Sequence, residues 1–115
     1  MRGLTARDVF LTTEAKADLA ALDASKDKEA ASIAKRARAL RSILLADCLH
    51  GEVVKKERIP KELRELPVEN LYAEDLPSFW RFLYTVSRDR GERSVVVVRI
   101  VDHETYSKWF PGRRR

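Results

Sequence analysis

Little in this 115-residue chain can act as a staple, a hinge or a metal cage. There is one cysteine, Cys48, which excludes an internal disulfide and falls where a helix would bury it as a small hydrophobe. Two histidines, His50 and His103, more than fifty residues apart, and one cysteine make a poor donor set, so neither a zinc site nor any other metal site is expected. The four glycines are isolated from one another, which excludes a glycine-rich phosphate loop, and no other cofactor motif is present. The longest apolar run is Val95 to Val98, with Ile100 and Val101 beyond Arg99, far too short to span a bilayer. The N-terminus leads straight into a charged segment and carries no signal-peptide pattern. With no repeat and no low-complexity linker, the expectation is one cytoplasmic domain over residues 1–115, ending in a mobile tail at 111–115.

What the chain has in excess is charge. Charged residues make up 36% of it, and 23 Lys and Arg against 18 Asp and Glu leave a net charge of +5. That balance favours a polyanionic partner, nucleic acid or an acidic protein, over a neutral one. A basic but otherwise ordinary surface is the plain alternative.

Periodicity then sets the order of elements. Asp8 to Leu11 reads as a short strand. Thr12 or Thr13 offers a cap for a helix reaching about Leu22, with Glu14 in its first turn. Ser25 is positioned to cap a second, longer helix. There Ala30, Ile33, Ala37, Leu40, Leu44 and Cys48 trace one apolar stripe, and Gly51 is the expected stop. Lys35, Arg38 and Arg41 form a loose basic ridge on that helix, readable as a solvated face or a phosphate-binding one. Val53–Val54 begins a strand, and Pro60 opens a helical turn. From Leu66 to Val86 two strands flank a turn at Asp75–Ser78. In the second, Trp80, Phe82, Tyr84 and Val86 alternate with Arg81, Leu83, Thr85 and Ser87. A polar connection from Ser87 to Arg93 precedes the apolar strand Ser94–Asp102, and a helical turn over Glu104–Phe110 closes the fold. This predicts an α+β domain. The N-terminal strand and helix hairpin pack on one face of a small, mostly antiparallel sheet, and the other face is left partly open.

The element order, the Asn70-Leu71-Tyr72 strand entry, the Trp80-Arg81-Phe82-Leu83-Tyr84 strand and the Asp102-His103-Glu104-Thr105-Tyr106 segment resemble the RelE/ParE superfamily of toxins from type II toxin–antitoxin modules. The RelE-like branch consists of metal-independent mRNA endoribonucleases that act on the ribosome and inhibit translation. The resemblance places the family's strand arginine on Arg81 and its C-terminal His or Tyr on His103 and Tyr106. A glutamate base would be Glu62 or Glu65. Lys55, Lys56, Arg58 and Arg99 would contact RNA. Attack by a 2′-hydroxyl needs a base, a cation for the crowded phosphorane and an acid for the leaving oxygen. A guanidinium fork suits the cation, and imidazole titrates near neutral pH. Tyr106 would stack on a splayed base or orient the hydroxyl. The partners implied are an acidic antitoxin, mRNA on the ribosome and a second copy of the chain as a homodimer. The ParE branch, which poisons gyrase without a nuclease site, and a binding module that has lost catalysis are the alternatives. For Arg81 itself the plain alternative is a salt bridge to Asp75, Glu74 or Asp102. His50, at the end of the long helix, receives no role.

Overall fold

The structure, a computed structural model, describes residues 4–64 and 70–110. Glu65 and the tail at 111–115 lie outside the described residues. The chain folds as β1 (Asp8–Leu11), α1 (Thr13–Ala24), α2 (Lys28–Ala46), β2 (Glu52–Val54), α3 (Lys61–Arg64), β3 (Leu71–Asp75), β4 (Arg81–Asp89), β5 (Glu92–Val101) and α4 (His103–Trp109). Single 3₁₀ turns occupy Lys56–Arg58 and Pro77–Phe79. The fold is α+β, with a five-stranded mixed sheet in the order β1-β5-β4-β3-β2. Only the β1–β5 pairing is parallel among the described strands.

Two helices cover one face of the sheet, as their stripes require. Ala30, Ile33, Ala37, Leu40 and Leu44 are buried together with Leu22 and Ala15 of α1. Phe82, Tyr84, Val95 and Val97 meet them from the sheet. Leu40 is fully buried, so Leu40→Ala would cost about 3 kcal/mol through lost burial and the cavity left behind. Cys48 is buried beyond the helix end, where burial pushes its thiol pKa up.

The helix boundaries differ from the expected ones for a local reason. Thr12 caps α1, its Oγ1 accepting the Ala15 N–H. Ser25 closes α1 rather than opening α2, and its Oγ accepts the Asp27 N–H. Asp27 is the residue that caps α2, through the N–H of Glu29. At the other end α2 stops at Ala46, before Gly51. Gly51 serves a close approach instead. A Cβ there would lie 2.9 Å from both the Ala73 carbonyl oxygen and the Tyr84 hydroxyl. The Ser87–Arg93 segment is not a loop either. Both strands run on to a two-residue turn at Arg90 (φ 53°) and Gly91 (φ 83°), the pair of positive φ angles that a tight hairpin needs.

The second face is covered rather than open. Ile59, Leu63, Tyr106 and Phe110 bury Val54, Leu71, Ala73, Leu83, Val98 and Val101 against it. A bulge makes this possible: Tyr84 faces Val97 and Leu83 faces Arg99, leaving Val98 as an extra residue on β5. Val97 and Ile100 therefore join the helix-side core, whereas Val98 and Val101 join the other. β1 ends opposite Val97, and α1 takes over the edge of β5 from there. Thr12 donates to the carbonyls of Val97 and Val98, and the Asp18 carboxylate accepts the Ile100 N–H.

Candidate functional site

β3, β4 and β5 run antiparallel, so Asp75, Arg81 and Val101 line up at one end of the sheet. The 3₁₀ turn before β4 and the first turn of α4 project from that same end. Asp102 caps α4 by accepting the Thr105 N–H at 2.8 Å, and that bond holds its carboxyl below the ordinary range. The cap fixes where His103 and Tyr106 lie relative to β5.

Arg81 is the centre of this end. Its Nε forms an ion pair with Asp75 Oδ1 at 3.3 Å, and Nη1 donates to the Trp80 carbonyl at 3.2 Å. The guanidinium carbon lies 4.9 Å from the centroid of the Tyr106 ring, a cation–π contact that orients the planar group. The Arg81 side chain is only 21% exposed, but Asp75 is 87% exposed. The counter-charge is therefore hydrated and replaceable, and Nη2 has no hydrogen-bond partner among the described residues. An ion pair whose carboxylate is this exposed contributes little and leaves the guanidinium able to exchange partners.

Of the expected site residues, Arg81 and Tyr106 are brought into contact. Tyr106 is buried, and the Phe110 ring stacks on it with centroids 4.6 Å apart. Phe110 and the guanidinium already lie against its ring, so Tyr106 is placed to hold Arg81 in position. His103 is exposed at the start of α4, and its ring lies 5.6 Å from that of Phe79. Glu62 is exposed on α3, while Glu65 lies outside the described residues. Lys55, Lys56 and Arg58 are exposed, but the chain leaves β2 opposite Leu71, at the other end of β3 from Asp75. The register does not gather them with Arg81. Arg99 is engaged elsewhere: Nε and Nη2 donate to the two Asp18 carboxylate oxygens at 2.7 and 3.0 Å, which raises its pKa.

Two groups escaped the sequence reading. Phe79 is 68% exposed, its backbone left-handed at φ 64° after Ser78 at φ 60°. Its signal was its position: it is the aromatic of the Leu66–Val86 stretch that falls outside the strand alternation. The second is the pairing of Glu74 with His50: Glu74, an expected partner for Arg81, is instead buried on the helix side of β3 and held by His50 Nδ1 at 2.7 Å. Alternation puts Glu74 on the same face as Tyr72, and a carboxylate there demands a partner. Beside it, the Tyr84 hydroxyl accepts the Gly51 N–H, and burial pushes its pKa far up. Among the described residues no three His, Cys, Asp or Glu side chains cluster to hold a metal, and no helix is long and apolar enough to cross a membrane. Comparison with models of protein families, with curated proteins and with solved structures finds no match.

Proposed function

We propose that this chain is the toxin of a type II toxin–antitoxin pair, with the RelE/ParE fold, and that it cleaves mRNA on the ribosome without a metal ion. The observation that carries the reading is the Arg81 guanidinium: fixed at the sheet end by Tyr106, with an exposed counter-ion and an exposed imidazole on the adjoining helix turn.

In this reading a phosphodiester displaces Asp75 from Arg81, and the guanidinium forks its non-bridging oxygens. The 2′-oxygen forms a bond to phosphorus as the P–O5′ bond breaks. A 2′,3′-cyclic phosphate and a 5′-hydroxyl end result. Arg81 offsets the charge of the phosphorane, and His103 delivers a proton to the leaving 5′-oxygen. The 2′-proton goes to a carboxylate. Glu62 and Glu65 are the bases the family resemblance implies, and Asp75 is the carboxylate in contact with Arg81. An acidic antitoxin would neutralise the protein by covering this end, matching its negative charge to the net +5 of the chain.

The test is inducible expression in a bacterial host, followed by primer extension on an abundant message. Growth arrest with new cuts inside translated codons is expected, and Arg81→Ala abolishes both while the protein stays folded. Arrest without cuts would transfer the reading to the gyrase-poisoning branch. No arrest would leave a binding module with this fold.

A further inference from the structure

Two consecutive non-glycine residues with positive φ are unusual, and for phenylalanine the left-handed region is a true outlier. The turn is held in that shape from both sides. The Trp80 N–H donates to the Pro77 carbonyl, the Leu76 N–H to the Trp80 carbonyl, and the Ser78 hydroxyl to the Glu29 carboxylate of α2. That strain sends the Phe79 ring into water instead of the core, where its ring contact is the His103 imidazole. Strain kept without a packing return is what a binding position looks like.

The same turn forms one wall of a groove of about 440 Å³, whose other wall is α2. Lys35 and Arg36 line it, together with Asp75 and Pro77. The remaining cations of the α2 ridge are neutralised inside the molecule: Arg38 by Asp23 and Arg41 by Asp8. Lys35 and Arg36 are exposed and pair with no carboxylate among the described residues. The expected basic ridge is thus broken, and the unpaired Lys35 and Arg36 line the groove beside the turn that carries Phe79 and leads to Arg81.

We infer that Phe79 is the stacking platform for one base of a single-stranded RNA whose neighbouring phosphate lies at Arg81, and that Lys35 and Arg36 hold phosphates farther along the strand. An exposed ring beside cations that track a backbone is the combination that binds single strands without regard to sequence. This deepens the nuclease reading and rests on it. An acidic protein anchored on the same ring is the competing occupant.

The experiment is fluorescence anisotropy of an unstructured, labelled RNA of about 12 nucleotides titrated with the full chain. Phe79→Ala is expected to weaken binding about 10-fold, and Phe79→Trp to keep it, with indole emission quenched as RNA is added. Phe79→Gly should weaken binding as alanine does without lowering the melting temperature, because glycine adopts a positive φ freely. The double substitution Lys35→Ala/Arg36→Ala should flatten the plot of log affinity against log salt by about 1.4. Unchanged affinity in Phe79→Ala, or an unchanged salt slope in the double variant, would overturn the inference in favour of the protein occupant. Repeating primer extension with Phe79→Ala separates the two readings. Undiminished cuts in Phe79→Ala with none in Arg81→Ala sink this inference and leave the nuclease standing. A parent chain that neither cuts nor binds RNA sinks both.

Discussion

Arg81 and Arg99 interrupt neighbouring apolar strands in the same way, and the fold gives them opposite uses. Exposure does not separate them, since their side chains are 21% and 29% exposed. The partners do. Asp18, which holds Arg99, is 15% exposed, accepts both ends of the guanidinium and also satisfies the Ile100 N–H. Asp75, which faces Arg81, is 87% exposed and sits farther off, at 3.3 Å. Each arginine also lies over a ring, Trp109 for Arg99 and Tyr106 for Arg81. A buried carboxylate turns an arginine into a brace; a hydrated one leaves it able to change partners. What an arginine does is decided by how dry its counter-ion is.

The comparison is broken most directly at its rigid half. Asp18→Ala strands a guanidinium and a strand N–H at once, and should cost about 3 kcal/mol in urea denaturation. Arg81→Ala, measured the same way, should cost about 1 kcal/mol or less, because its ion pair is largely solvated. Equal losses in the two variants would erase the distinction. His50 and Glu74 invert the Asp75 arrangement, with the carboxylate buried and the imidazole 46% exposed. His50→Ala leaves Glu74 buried without that partner and should cost about 2 kcal/mol. Adding Glu74→Leu should recover part of it, which a thermal melt of the double variant would reveal.

Asp102 gives a smaller effect with a pH signature. Its pKa is depressed in the fold, so its cap contributes above the ordinary carboxylate pKa and fades as pH falls through the lowered value. Asp102→Ala should cost about 1 kcal/mol at neutral pH and less at strongly acid pH, where only the charge-dependent part of the cap is lost. Asp102→Asn should keep most of the cap with a flatter acid limb. The smallest change is expected from Asp75→Asn, within about 0.5 kcal/mol of the parent, while RNA affinity holds or rises. A large stability loss there would make Asp75 a second brace.

Regular period made much of this architecture legible. The β1 bounds, the α2 stripe and the paired strands follow from side chains repeating every two or nearly four residues. The cover on the second face was not legible, because it comes from segments of one or two turns in which no period can be read. Ser25 and Asp27 are both good caps two positions apart, and the connection uses each for a different helix. Arg81 and Tyr106 do meet, as the sequence reading supposed, but Tyr106 is buried and the exposed ring is Phe79. The braced state of Arg99 was out of reach of any local pattern, since Asp18 is 81 residues away along the chain.

The parallel pairing of β1 with β5 also sets a timetable for synthesis. Asp8 to Leu11 find their partners only at Ser94 to Val97, so the first strand made waits for the last. Until then α1 and α2 can form a hairpin, but half of the sheet that hides their apolar stripe is missing. Closing so long a loop late is slow, and the nascent chain stays exposed to association meanwhile. The end that bears Arg81 opposite Val101 is finished at the same moment, because both belong to strands completed last. The end of the sheet that carries Arg81 is therefore assembled only once the final strand has emerged from the ribosome.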